Sequence, residues 1–459
     1  MDGISLKAAS EAMEGELVLA GDPEIAVTGG VIDSRKVKAG NLFFALRGEQ
    51  TDGYRFIESA LDAGASAAVV SRSKFDAAET DRGPLIWVDA PDLAMGDLAR
   101  FYRRRFDIPI VAITGSNGKT TTKDMAAAVL STRYEVLETE GNLNTRLGVP
   151  MTLFRLTEAH DVAVIEMGIS EHHGLTYLCE IADPTIGVIT NIGPTHLEFL
   201  GSVEGVAQAK GELLEYLDES SMTILNFDDL YLPKERAKGR LLGFGIDKTC
   251  QFRGEGLVLD QGGCGCFSLQ GRIFSLSIPG RHNVYNALAA TAIGAALEVP
   301  LEDAAAALKT FSPTELRSQL TRHNDVRLLN DSYNANPASM RAALATLTEL
   351  EPESGGRRIA VLGDMRELGE TEVVAHQDLG REVADAGVDV LYAFGALAET
   401  MTAAAVDGGM KTDRVEAFTD KQELAASLEA LIGPGDVVLV KGSRGVALEE
   451  VVELLGFKS

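Results

Sequence analysis

The run Ile110-Val111-Ala112-Ile113-Thr114-Gly115-Ser116-Asn117-Gly118-Lys119-Thr120-Thr121 carries the parts of a phosphate-binding loop. An apolar strand leads into a Gly-containing turn, and the turn leads into a helix. That geometry points backbone N–H groups and a helix N-terminus at an anion. Gly115, Ser116, Asn117, Gly118 and Thr121 are therefore candidate ATP-binding residues. Lys119 would reach the outer phosphates as a catalytic cation, and the Thr120 hydroxyl would ligate Mg²⁺. The loop is shorter than the general P-loop pattern, because Ile113 stands where that pattern wants its first glycine. A tight strand-to-helix turn with a chance Lys-Thr pair is the plainer alternative. The ordered succession of strand, glycines, Lys, Thr and helix argues against it.

The loop needs a scaffold, and the apolar patterning supplies one in three segments. Residues 1–105 hold a short extended stretch Gly30 to Arg35, a strand-like run Leu42 to Leu46, an amphipathic helix pattern Phe56 to Ala63 and a buried strand Ala67 to Val70. This predicts a small α/β domain. Arg103-Arg104-Arg105 reads as its solvated helix end rather than a binding patch. In residues 106–312, strand-like runs Ile110 to Thr114, Val162 to Glu166, Ile186 to Asn191 and Met222 to Asn226 alternate with helix patterns. That predicts a P-loop-type domain with a mostly parallel sheet covered on both faces. Short strands with Gly-rich turns follow from Phe252 to Pro279, then an Ala-rich helix, Asn283 to Leu297. Residues 313–459 carry strands at Arg327 to Asn330, Arg358 to Leu362, Val388 to Phe394 and Val437 to Val440, with helices between them. They predict a doubly wound, Rossmann-like domain. The fold class is α/β in three domains.

Composition narrows the partners. The 459 residues include 42 Lys+Arg against 68 Asp+Glu, a formal net charge of -26. Such a field disfavours nucleic acid and anionic membrane, and neither is an expected partner. Cys179, Cys250, Cys264 and Cys266 do not make a disulfide framework in a chain this long. Cys264 and Cys266 lie in a Gly-rich stretch that reads as a hairpin turn, since a metal would need two further ligands. The N-terminal stretch is acidic and interrupted, unlike a secretion signal, and no apolar run is long enough for a bilayer. The expected compartment is the cytoplasm.

From the loop outward the chain resembles the Mur ligases, ATP-dependent amide-forming enzymes of peptidoglycan synthesis. Asp33-Ser34-Arg35, Gly40 to Gly48 and Asp52-Gly53 resemble the family's UDP-sugar-binding domain. Gly141-Asn142-Leu143-Asn144 with Gly148-Val149-Pro150 resembles its substrate-facing loop. Glu166-Met167-Gly168 ends a strand as the family's Mg²⁺-binding glutamate does. Thr190 to His196, Ala209-Lys210-Gly211-Glu212 and Gly280-Arg281-His282-Asn283 match three more motifs. Asn330 to Pro337, Gly363 to Gly369 and Lys441-Gly442-Ser443-Arg444 are similar to the MurF type within the family. The chain departs from the family at Leu316-Arg317-Ser318, where Gly-Arg-Leu is usual. It departs again at Thr145-Arg146, where a second Asn and an acidic residue are common.

The resemblance implies an activity, substrates and roles. The activity is ligation of D-alanyl-D-alanine to UDP-N-acetylmuramoyl-tripeptide, with ATP and two Mg²⁺, by a monomer. The third stem residue is meso-diaminopimelate or lysine. Phosphoryl transfer from ATP makes an acyl phosphate, which an amine then attacks. Each step gathers negative charge, so the site must supply cations and fixed dipoles. Thr120 and Glu166 would hold one Mg²⁺. His196 would hold the second, together with Lys210 carbamylated by CO₂. His196 and Lys210 join Lys119 as catalytic residues. Asn283 and Asp331 would contact adenine or ribose, and Arg317 the phosphates. Ser34, Arg35, Asn142, Asn144, Asn334 and Asn336 would bind substrates. Three modules with one ligand each must close to bring the reacting atoms together.

Plainer alternatives stand beside these roles. Glu166 can be a capping carboxylate, His196 a hydrogen-bonded surface residue, and Asn283 the N-cap of the Ala-rich helix. Asp331 can cap a turn with Asn334, Ser34 and Arg35 can form an ordinary turn, and Lys210 can be an exposed helix lysine. His172 and His173 read as a surface pair. Two other functions also compete. A ligase joining glutamate to folate would share the loop and Lys210 but lack the UDP module. A switch-type nucleotide-binding protein would need no domain aimed at an amine substrate.

Overall fold

The computed structural model describes residues 1–18, 22–48, 51–73, 83–353 and 355–457. They divide into two compact units. The first is Met1–Ile113, Arg133–Gly187 and Glu212–Ser221; the second is Thr114–Thr132, Val188–Gly211 and Met222–Ser459.

In the first unit five strands form a sheet in the order Glu16–Val18, Leu85–Val88, Ala67–Ser71, Asn41–Phe44, Gly29–Val31. Only the first pair is antiparallel. Asn41–Phe44 is buried at every position, as expected of a parallel strand covered on both faces. After Gly29–Val31 the chain turns through the 3₁₀ segment Ser34–Lys36, capped by the Asp33 side chain. In the same unit Val162–Glu166 pairs in parallel with Ile110 to Ile113 on one side and with Val136–Glu138 on the other. The strand Ile186–Ile189 passes from one unit to the next within its length.

Arg103, expected in solvent, is instead buried near the end of helix Pro91–Arg103. Its guanidinium donates to the Ala182, Phe106 and Asp183 carbonyls at 2.7, 3.0 and 3.0 Å. It closes otherwise open carbonyls, a task the local basic run does not disclose.

The second unit holds parallel strands Met222–Asn226, Arg240–Gly245 and Phe252–Arg253. An antiparallel sheet of Glu255–Leu259, Cys264–Leu269 and Arg272–Pro279 follows. The Cys264 region is a hairpin as expected; Asp260 Oδ1 accepts the Gly262 and Cys264 N–H groups at 2.8 and 2.9 Å. A six-stranded sheet runs Gln319–His323, Val326–Asn330, Val437–Lys441, Arg358–Gly363, Val390–Phe394, Val415–Phe418. All its pairs are parallel except the first. Alternation along its strands splits the core in two: Leu329, Ala360 and Leu362 pack on one face, Leu328, Ile359 and Val361 on the other.

Candidate functional site

Strand Ile110–Thr114 ends at Thr114, and helix Lys119–Leu130 begins four residues after Gly115. Two positions explain the glycines. Gly118 has φ +78°, and a Cβ there would lie 2.3 Å from Asn286 Oδ1. At Gly115 a Cβ would lie 1.9 Å from Thr190 Oγ1. Any larger residue at either position would collide with the loop's own supports. Those supports are polar. Ser116 N–H donates to the Asn191 carbonyl at 2.9 Å, and Asn117 N–H to Asn191 Oδ1 at 2.9 Å. Thr190 Oγ1 donates to the Asn117 carbonyl at 2.6 Å. Gly193 N–H donates to Ser116 Oγ at 2.8 Å. Lys119 Nζ folds back onto the Gly115 carbonyl at 2.8 Å, and Thr120 is buried while Thr121 is half-buried at the helix start. This cradle of glycines, a cation and a hydroxyl fits a nucleotide phosphate with its Mg²⁺.

Lys210 sits on helix Val203–Tyr216 and is 1% exposed, not a surface lysine. Burial, and then the Lys119 ammonium, push it well below the ordinary lysine value. His196 adopts a left-handed conformation (φ +54°) before the short helix Leu197–Leu200. Its Nδ1 lies 2.7 Å from Glu367 Oε2. That bond to His196, above all, lowers the Glu367 carboxyl below its usual range. A carboxylate on Nδ1 leaves Nε2 to face a ligand, the usual second partner of a metal-binding imidazole. Glu367 was absent from the residues singled out by sequence, although its motif was noted.

In the first unit Glu166 is buried, and its Oε1 accepts from Asn144 Nδ2 at 2.7 Å. Its Oε2 is buried without a hydrogen-bond partner. An orphaned carboxylate oxygen of this kind fits a bound cation. Asn142 is exposed two residues earlier on the same loop. His172 and His173 are exposed, and among the described residues no cluster of three His, Cys, Asp or Glu is placed to hold a metal.

Several asparagines are engaged differently from expectation. Asn283 is not the N-cap. Gly280 is the N-cap of helix Arg281–Ala296, and Asn283 is buried one turn in. Its Nδ2 donates to the Pro279 carbonyl at 2.7 Å, and its Oδ1 accepts from Asn286 at 2.9 Å. Asn286 Oδ1 in turn accepts from Thr122 at 3.2 Å, so this chain of amides braces the loop helix. Asn336 caps helix Pro337–Glu349 in a box with Ser339, and its Nδ2 donates to Asn117 Oδ1 at 2.7 Å. Its amide therefore also holds the phosphate loop. Asn334 Oδ1 accepts the Ala335 N–H at 2.9 Å. Asp331 does not cap a turn with Asn334. It pairs with the buried Lys441, and its Oδ1 accepts the Ser318 N–H at 3.0 Å. Lys441 stands in the Lys441 to Arg444 motif with no role of its own assigned; a lysine closing the buried run Val437–Val440 was the available signal. Arg317 stacks on Tyr333 with its guanidinium carbon 3.9 Å from the ring centroid.

Ser34 and Arg35 line a cavity of ≈ 970 Å³ in the first unit, together with Leu46, Arg47, Asp92 and Arg146. Arg35 is gripped by Asp33 through Nε and Nη2 at 2.9 and 2.8 Å. That pairing pulls the Asp33 carboxyl down to about 2.

Residues 26–103, 113–294 and 316–444 match family profiles described as Mur ligase family, catalytic domain; Mur ligase middle domain; and Mur ligase, glutamate ligase domain. The chain is 36% identical over 454 residues to a UDP-N-acetylmuramoyl-tripeptide–D-alanyl-D-alanine ligase of Bacillus subtilis (strain 168), covering 98% of this chain and 97% of that one. A crystal structure of MurF from Acinetobacter baumannii superposes with TM-score 0.89 at 31% identity over 99% of both chains. MurF ligase from Thermotoga maritima in complex with ADP superposes with TM-score 0.80 at 28% identity, over 93% of this chain and 96% of that one.

Proposed function

The chain belongs to the Mur ligase family, of its MurF type with three α/β domains, and from that membership we infer the reaction it performs. It is an ATP-dependent ligase that joins D-alanyl-D-alanine to UDP-N-acetylmuramoyl-tripeptide through an acyl phosphate. The observation that carries the reading is the braced loop Gly115 to Thr121 with Lys119 folded back onto it.

Amide formation from a carboxylate needs the hydroxyl-equivalent oxygen turned into a leaving group. Loop N–H groups and Lys119 draw the ATP phosphates into line and offset the charge that builds during transfer. Bound Mg²⁺ supplies further positive charge to the phosphate oxygens. Thr120 and His196 are proposed as Mg²⁺ ligands, and Glu166 is proposed as another through its orphaned oxygen. Lys210 is proposed to be carbamylated. Burial disfavours the ammonium and so favours the neutral, nucleophilic amine. Its nitrogen attacks CO₂, a proton leaves, and the product is an anionic carbamate offering hard oxygens to Mg²⁺. Glu367 fixes the His196 ring during this work.

For the remaining residues, Asp331 and Arg317 are proposed on the nucleotide side. Asn283 is proposed to act on the loop through Asn286 and Thr122. Ser34 and Arg35 are proposed for the UDP moiety, Asn142 and Asn144 for the tripeptide, and Asn334 for the dipeptide. Asn336 is proposed to act on the loop through Asn117. Domain boundaries near residues 105 and 313, cytoplasmic residence beside the ATP supply, and a monomeric state belong to the same proposal.

Phosphate release from ATP tests the reading. It should require both the UDP-tripeptide and D-alanyl-D-alanine. Vigorous steady release with neither present would sink it.

A further inference from the structure

The ≈ 970 Å³ cavity of the first unit carries two Asp–Arg pairs in its lining, and they differ in what they leave open. The Asp33–Arg35 pair is closed. Arg35 donates twice to the carboxylate, and Asp33 Oδ1 also takes the Arg35 backbone N–H at 3.0 Å. The second pair, Asp92–Arg146, is joined by one bond, Nη2 to Oδ2 at 2.7 Å. Asp92 Oδ1 has no other partner among the described residues, and neither do the remaining nitrogens of Arg146. Their side chains are 38% and 48% exposed. The guanidinium is steadied from one side by Tyr177, whose ring centroid lies 5.8 Å away. Arg146 is also the departure noted in the sequence, a cation where an acidic residue is common.

A fixed cation beside a fixed anion is a poor receptor for a diphosphate, which would meet the Asp92 carboxylate as well as Arg146. It is a good receptor for an amino-acid zwitterion, which brings one partner for each. We propose that Arg146 and Asp92 read the free amino-acid end of a diamino-dicarboxylate, 2,6-diaminopimelate, as the third stem residue, and select against lysine there. This rests on the reading of the chain as a ligase of the tripeptide nucleotide. Once built into the stem, diaminopimelate keeps one ammonium and one carboxylate on a single distal carbon. The carboxylate takes the open edge of Arg146, and the ammonium takes Asp92 Oδ1. Lysine ends in an ammonium alone. It could engage Asp92 only while facing the Arg146 guanidinium, with nothing to satisfy that cation. The position along the chain agrees. Arg146 follows Asn144 by two residues, and Asn144 holds Glu166. One short loop thus carries a group beside the proposed metal carboxylate and a group for the far end of the same stem residue.

The test is titration calorimetry of UDP-N-acetylmuramoyl-tripeptide carrying diaminopimelate or lysine, on wild type, Arg146→Gln and Asp92→Asn, with turnover read in parallel. Wild type should bind the diaminopimelate nucleotide about tenfold to a hundredfold more tightly, the range of a charged hydrogen bond. In Arg146→Gln the ratio should fall to within about threefold, while KM for ATP and for D-alanyl-D-alanine stays put. Asp92→Asn should weaken the diaminopimelate nucleotide in the same direction. A wild-type ratio near one, or an unchanged ratio in Arg146→Gln, overturns the proposal even if both nucleotides are turned over. Selective binding without turnover overturns the ligase reading and leaves this one standing. Binding of neither nucleotide overturns both.

Discussion

Replacing Lys210 with Met should move stability and catalysis in opposite directions. Lys210 is 1% exposed, and burial with the nearby Lys119 ammonium holds it well below the ordinary lysine value of 10.5. In the unfolded chain the amine returns to that ordinary value. Between the folded and unfolded values, the unfolded state therefore binds more protons than the folded one. Each pH unit of that gap costs the fold about 1.4 kcal/mol. The sign follows: wild type gains stability as pH rises through this window, and the full penalty applies below the folded value. Methionine has similar length and no charge, so it removes the penalty without opening a cavity. Lys210→Met should therefore raise the melting midpoint at pH 7 by a measurable amount. It should also flatten the rise of stability with pH. Turnover should fall by about 10²–10³-fold or more, because no carbamate can form. Scanning calorimetry in CO₂-depleted buffer from pH 7 to pH 10 reads the first effect, and phosphate release at saturating substrates reads the second. Adding bicarbonate and Mg²⁺ should stabilise wild type and leave the Met variant unchanged. A Met variant that melts below wild type while keeping its turnover would refute both halves of the reasoning.

Lys119→Ala should cut kcat by about 10²–10³-fold or more with the melting midpoint nearly unchanged; near-normal turnover would mean that the Gly115 to Thr121 loop is not the ATP site. Arg103→Met leaves three carbonyls without their donor, at Ala182, Phe106 and Asp183. It should destabilise by about 2–4 kcal/mol in thermal melts while turnover per folded molecule holds, and an unshifted melt would mean that water replaces the guanidinium at no cost.

Much of the fold was legible because its strands are buried on both faces. Ile110–Thr114, Val162–Glu166 and Met222–Asn226 appear in the structure at the bounds their apolar runs predict. A parallel strand covered by helices advertises itself locally. Ends were less legible where a distant partner sets them. The Ala-rich helix starts at Arg281, two residues before its predicted start, because Gly280 with φ +101° makes the cap. Arg103 looked like one member of a solvated basic run, and only the carbonyls that follow Ile181, far along the chain, make it a buried strut.

The site divides along the same line. A residue's type says what chemistry it is capable of, and its neighbours decide what remains available. Asn283 and Asn336 have the right amides for a ligand, yet both amides are engaged, one within its own helix start and one across 219 residues to Asn117. Glu367 and Lys441 looked like parts of motifs, yet each completes a pair whose other member the sequence had singled out. No local pattern carries that information, since the partners lie 171 and 110 residues apart. The same logic sorts the remaining candidates. Glu166 keeps one buried oxygen without a partner, and Lys210 is a buried amine held well below the ordinary lysine value by its burial. Each arrangement is unfavourable in the protein alone. Unmet demand of that kind, rather than residue type, is why these two side chains are proposed to meet ligands.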